Sequence, residues 1–278
     1  MIKKFAEKVD CKIPDHLKPF IVVGIHGETN ESVDVSFPIF PNGFPVLINV
    51  FGDSPKLHVA NKTNFAPSNL NLAGQIYGTT PKMEVKGVFG QIGFLLHPLT
   101  PYYLFHIKGS SFLNRWISLE EISNIHFEKV LKELNTCTNA LDRIPILLRM
   151  LSKLEMNKLP PIRWLDECLS TIYRSNGAVS VSSLVEKAEI STRHFGRVFK
   201  EIIGVPPKFF CKVVQLNSIF EVLNQSENES LLKLALDYGY YDQAHFIHDF
   251  KKLIGDSPER FLMSKDAYVK EYLGNKGF

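Results

Sequence analysis

The sequence predicts an α+β protein, β-rich up to about residue 125 and all-helical from about residue 161. Three observations carry this prediction. In the first part, apolar runs are short, rich in β-branched and aromatic residues, and bounded by turn formers. After about Ser118, apolar residues fall at helical spacing. Between residues 191 and 261, a stretch of sequence recurs at a fixed offset.

Taken in order, Phe20-Ile-Val-Val and Val46-Leu-Ile-Asn-Val-Phe read as strands between the turns Pro41-Asn-Gly43 and Gly52-Asp-Ser-Pro55. Strand-like runs continue at Met83–Val88, Gln91–Leu96 and Tyr102–Ile107. The stretch Gly87–Ile107 is uncharged and long enough to span a bilayer. It also carries Gln91, His97, Pro98, Pro101 and His106, so two buried strands around a Pro turn fit it better than a membrane helix. Leu119–His126 predicts a short helix, and Phe127–Asn135 and Leu141–Leu154 predict longer ones. The last aligns Ile144, Leu147, Leu148, Leu151 and Leu154, with Asp142 as a cap and Pro145 in an early turn. Leu159-Pro-Pro161 is the best boundary. The expected division is a β-rich unit over 1–125, a helical linker over 126–160 and a helical unit over 161–278.

Composition excludes several classes. With 45% hydrophobic residues and a net charge of +3, the chain can bury a core and is not disordered. Cys11, Cys137, Cys168 and Cys211 are far apart and form no C-x-x-C, which fits reduced thiols in a cytoplasmic protein. The N-terminus has no apolar run of signal-peptide length. No G-x-S-x-G, Cys–His signature, P-loop or dinucleotide fingerprint appears, and the glycines of Gly87–Gly93 read as strand glycines. His58, His97, His106 and His126 lack the H-x-H pairing and the nearby acid of a metal site, so they read as packed or surface histidines. Neither metal nor cofactor is expected, nor is an enzyme. The aromatics Tyr77, Tyr102, Tyr103 and Trp116, with many phenylalanines, suit either an apolar small-molecule pocket or a filled core.

The repeat is the most informative feature. Ser191-Thr-Arg-His-Phe-Gly-Arg-Val-Phe-Lys-Glu-Ile-Ile-Gly-Val-Pro-Pro207 aligns with Asp242-Gln-Ala-His-Phe-Ile-His-Asp-Phe-Lys-Lys-Leu-Ile-Gly-Asp-Ser-Pro258 at an offset of 51 (242 − 191). Phe195 and Phe199, like Phe246 and Phe250, lie four apart and share one helical face, which anchors each helix. Ser191 and Asp242 stand where N-caps belong, and Gly204 and Gly255 where C-caps belong. Before each unit lies a shorter amphipathic segment, Val181–Lys187 or Leu231–Tyr238, followed by a tight turn. This is a helix-turn-helix pattern, present twice, with a long helix from Pro207 to about Leu223 between the copies.

The outer face of the first second-helix carries Arg193, Arg197 and Lys200; its partner offers Gln243, His245, His248, Lys251 and Lys252, with one acid, Asp249. Arg and Gln can read base edges and Lys can neutralise phosphate. A lone charge on a helix is ordinarily just solvated, and His194 or His245 alone would suit packing or capping. The repetition weighs against both readings.

At these residues, about 162–265, the chain resembles the double helix-turn-helix domain of the AraC/XylS transcription regulators. The segments ISTRHFGRVFKEIIGVPPKFF and LALDYGYYDQAHFIHDFKKLIGDSPERF carry the resemblance. It implies a seven-helix domain whose recognition helices, about Thr192–Lys200 and Gln243–Lys252, enter successive major-groove turns. The residues it assigns to double-stranded DNA are Ser191, Thr192, Arg193, His194, Arg197 and Lys200, then Gln243, Ala244, His245, His248 and Lys251. Gln215 stands where the family usually has Arg, and Gly196 at a common contact position. Phe40-Pro-Asn-Gly43 followed by Val46–Val50 resembles a segment of the family's β-rich sensor domains. That implies a β-barrel-like, cupin-like N-terminal domain sensing a small-molecule effector, helices that form a homodimer, and contact with RNA polymerase if the protein is an activator. The alternative is an enzyme in the β domain with the helices as a DNA-targeting module.

The charge balance conceals one local excess. Residues 161–278 hold 15 basic and 15 acidic side chains, yet Ser191–Lys200 alone is +3. DNA meets a face, so the local figure is the relevant one.

Overall fold

A computed structural model describes residues 7–60, 62–65, 69–122, 127–154, 160–225 and 230–263. Among these, the β-rich part comprises β1 Glu7–Val9, β2 Ile21–Glu28, β3 Val33–Pro38, β4 Val46–Gly52, β5 Lys56–Val59, β6 Lys62–Phe65, β7 Leu70–Ala73, β8 Lys82–Gly87, β9 Phe89–Leu96 and β10 Trp116–Ser118. The larger sheet runs β1-β2-β9-β4-β7-β10 and the smaller β3-β8-β5-β6, with antiparallel pairing throughout. The barrel-like expectation thus takes the form of two facing sheets. β9 lies between β2 and β4 and is buried at all eight positions, which is why it lacks the alternation of a half-exposed strand and carries Gln91 as its one polar side chain. A Cβ on Gly93 would sit 1.9 Å from the Leu47 carbonyl oxygen, so glycine is required where the two strands meet. The sheets share a core of Ile48, Val50 and Phe89 against Phe37, Met83 and Val85.

Helix α1 spans Thr100–Phe105, where the apolar run Tyr102–Ile107 predicts a strand. Pro101 sits in its first turn, where its fixed φ favours helix and no N–H is missed, and Tyr103 N donates to Leu99 O at 3.0 Å. His106 ends the helix in the left-handed region at φ 55. A 3₁₀ turn, Gly109–Phe112, leads to β10. Helix α2 covers Leu119–Ile122; residues 123–126, including His126, lie outside the described residues. Helices α3 (Glu128–Thr136) and α4 (Arg143–Ser152) follow. Asp142 stands just before α4, but its backbone is already helical and its side chain caps nothing. Asn139 Oδ1 instead accepts from Leu141 N at 2.8 Å.

The C-terminal part contains α5 Arg163–Arg174, α6 Val181–Ala188, α7 Thr192–Ile203, α8 Pro207–Gln225, α9 Leu231–Asp237, α10 Gln243–Ile254 and α11 Pro258–Met263. Its two cores mirror the repeat. Phe195 and Phe199 anchor one and Phe246 and Phe250 the other, all at 0% exposure. The long α8 contributes to both.

The segment Phe40–Phe44, which contains the predicted turn Pro41–Gly43, wedges between the two parts. Phe40 belongs to the second helical core and meets Phe261 edge-on at 6.1 Å. Asn42 O accepts from Asn217 Nδ2 of α8 at 3.0 Å, and Phe44 stacks on Tyr173 of α5 at 6.0 Å. Among the described residues no helix is long and apolar enough to cross a membrane.

Candidate nucleic-acid interface

Each helical unit presents its second helix in the same way. Ser191 is extended (ψ 144) and its Oγ accepts from His194 N at 3.3 Å; Asp242 is extended too, and its Oδ1 accepts from His245 N at 2.7 Å. These are working N-caps. At the other ends Gly204 (φ 98) and Gly255 (φ 89) hold the left-handed conformation that closes the helices. With the phenylalanines locked inward, the helical period turns the remaining residues out.

On α7, Thr192, Arg193, His194, Arg197 and Lys200 are exposed. On α10, Gln243, Ala244, His245, His248, Lys251 and Lys252 are exposed. Every residue assigned from the sequence therefore lies on an accessible face. Gly196 is half-buried on α7, and a Cβ there would meet nothing within 4 Å, leaving a shallow gap between Arg193 and Arg197.

Both helices carry an acid, and both acids are engaged. Asp249 is 17% exposed and turned back toward α8, 3.2 Å from Lys212 Nζ, with His245 Nε2 at 3.3 Å. Lys212 also lies 4.0 Å above the Tyr240 ring and donates to Gln215 Oε1 at 3.0 Å. On α7, Glu201 Oε2 accepts from Arg197 Nη1 at 3.2 Å and Oε1 from Lys108 Nζ at 2.5 Å. The Lys108 bond holds the Glu201 carboxyl below its usual range. Arg197 Nη2 also donates to His194 Nδ1 at 3.4 Å.

Gln215, the departure from the family's Arg, is buried at 2% and has a structural task. Its Nε2 donates to Tyr238 O at 2.6 Å, at the C-terminus of α9, so the linker helix ties down the turn of the second unit. An amide suffices because the partners are one carbonyl and one ammonium. Sequence reasoning missed Tyr241, 90% exposed immediately before the Asp242 cap, and the supporting Lys212 and Lys108. Only Tyr241 left a signal, as an aromatic inside a polar turn.

The β-rich part encloses a cavity of about 100 Å³ between its sheets. Its lining is mainly apolar, including Ile25, Ile48, Met83 and Leu95, with Asn42, Gln91, Asn114, Arg115 and Trp116 as the polar contributions. Phe44 is a shared wall, facing this cavity and stacking on α5. Of the four aromatics singled out from sequence, only Trp116 lines it. Tyr77 packs edge-on against Phe209, and Tyr103 Oη donates to Asp166 Oδ2 at 2.8 Å. His58 Nε2 lies 3.1 Å from Glu84 Oε2, and His97 packs against Tyr173, its pKa pushed down to about 4 by burial.

A family model described as a helix-turn-helix domain matches residues 184–264. Over 84 residues the chain is 37% identical to an uncharacterized HTH-type transcriptional regulator of Haemophilus influenzae, covering 30% of this chain and 28% of that protein. Over 121 residues it is 30% identical to the bifunctional transcriptional activator/DNA repair enzyme AdaA of Bacillus subtilis, covering 43% and 56%. The chain thus spans about a quarter to a half of the length of these relatives. Among solved structures, ToxT from Vibrio cholerae aligns over 86% of this chain and 98% of its own, with a TM-score of 0.48 and 13% identity.

Proposed function

We propose that this chain, whose residues 184–264 form a helix-turn-helix domain of the AraC/XylS type, is a sequence-specific DNA-binding transcription regulator. The observation that carries the reading is the pair of identically capped helices, each with its aromatic face buried and its cationic and amide side chains outward. Arg193 and Arg197 are the candidates for base or phosphate contacts in the first helix and Gln243, His245 and His248 in the second, with Lys200 and Lys251 the phosphate partners. The test is recovery of bound DNA from the native host, followed by footprinting. Two protected patches about one helical turn apart, roughly 34 Å, are expected. Enrichment no higher than for random fragments would refute the reading.

The β-rich part over 1–125 is proposed as the effector-sensing unit, with 126–160 as linker and dimerisation segment. Its cavity suits a small, largely apolar molecule. Because Phe44 faces both the cavity and Tyr173, an occupant that shifts Phe44 alters how the helical part is held. A panel of small apolar compounds, scored by thermal shift and by tryptophan fluorescence in a Trp164→Phe background that leaves Trp116 as the reporter, tests this.

A further inference from the structure

The β-rich part touches the first recognition helix directly, through backbone. A Cβ on Gly109, at the start of the 3₁₀ turn, would lie 2.5 Å from the carbonyl carbon of Ile203 and 2.7 Å from Ile202 O. A Cβ on Gly204 would lie 3.0 Å from the carbonyl group of Gly109. Two glycines allow the turn to sit against the C-terminal end of α7. That contact places the preceding residue, Lys108, beside Glu201. Glu201 therefore divides a single negative charge between a lysine of the β-rich part and Arg197 of the recognition helix.

The two cations compete for this carboxylate. While Lys108 neutralises Glu201, the guanidinium of Arg197 is held weakly and is free to turn to a phosphate or a guanine edge. Without Lys108, Glu201 pairs with Arg197 alone in an i,i+4 bridge that DNA must break. Glu201 also then presents an unbalanced charge to the phosphates. We propose that Lys108, in the β-rich part, is a positioning residue for DNA binding: by holding Glu201 it releases Arg197 to the DNA. This inference rests on the DNA-binding reading above.

The test uses the full chain and one operator fragment recovered from the host, in gel-shift titrations at fixed salt with thermal midpoints in parallel. Lys108→Met is expected to weaken specific binding about three- to tenfold, with the midpoint within about 2 °C of wild type, because an exposed ion pair stabilises little. Lys108→Arg keeps wild-type affinity. Glu201→Gln binds at least as tightly as wild type, and adding Lys108→Met to it has no further effect. Gly109→Val, which parts the backbones without removing a charge, reproduces the loss, again only while Glu201 is present. If wild type binds the operator and Lys108→Met binds it equally well, the proposal is overturned. It is equally overturned if Lys108→Met loses the same factor in the Glu201→Gln background, since Lys108 would then touch DNA itself. If wild type binds no fragment specifically, the DNA-binding reading fails and the proposal with it.

Discussion

Arg197 has an exposed guanidinium held only loosely within the protein, by Glu201 at 3.2 Å and His194 at 3.4 Å. Replacing it with Ala is expected to weaken operator binding by roughly 1–3 kcal/mol, read by gel shift at fixed salt, while leaving non-operator DNA less affected. Arg143 plays the opposite role. It is buried at 6% and donates to Leu134 O at 2.7 Å, Cys137 O at 2.9 Å and Asn49 Oδ1 at 3.1 Å, with its guanidinium 4.2 Å above the Phe51 ring. It closes the end of α3 and ties α4 to the larger sheet. Arg143→Met should cost about 2–4 kcal/mol in urea unfolding, because two buried acceptors and one partly buried one lose their donor. In the sequence Arg143 is one more charge beside Asp142. Nothing in its spacing distinguishes it from a solvated residue, since its partners come from β4 and the C-terminal end of α3.

At the scale of elements, the repeat units were legible because two independent signals coincide at each helix: caps at both ends and phenylalanines four apart. The fully buried Phe199 and Phe250 hold equivalent places, so Phe199→Ala and Phe250→Ala should each destabilise by about 3–5 kcal/mol. Gly196 offers a contrast. With open space where its Cβ would be, Gly196→Ala should raise stability by up to about 1 kcal/mol through helix propensity, seen as a higher thermal midpoint. The sequence conceals helix α1 for a specific reason. Tyr102–Ile107 is short and aromatic, and a run of six residues with only His106 to break it has no period of its own. Pro101 was the informative residue, as a helix-starting proline rather than a strand breaker.

Across the whole molecule, the formal neutrality of residues 161–278 implies weak non-specific binding, with Kd on the order of 10⁻⁴ M at physiological salt. Affinity must then come from docking both recognition faces together, so the relative placement of the two units matters. Gln215 and Lys212 hold it from within the helical part, and Phe40–Phe44 from outside. The same inter-domain region holds His97. Burial pushes its folded pKa down to about 4 from the ordinary 6.5. Its contribution is therefore complete above about pH 6.5 and is lost as pH falls toward 4, by up to about 3 kcal/mol, because only the unfolded chain takes up the proton in that window. Urea midpoints from pH 7 to 4.5 should fall less steeply in His97→Gln than in wild type. Parallel curves would assign the acid sensitivity to other groups.

The sequence by itself determined the α+β division, the two helix-turn-helix units, their caps and their outward residues. All of these depend on neighbours within about one helical turn or on a motif that occurs twice. The tertiary structure decided which charges remain free. Asp249 is answered by Lys212 and Glu201 by Lys108, partners 37 and 93 residues away. It also decided that Phe40–Phe44 is an inter-domain wedge and that Trp116, not Tyr77 or Tyr103, faces the cavity. The physical reason is the same in each case. A side chain's charge and environment are set by what packs across from it, and local spacing carries no record of that partner.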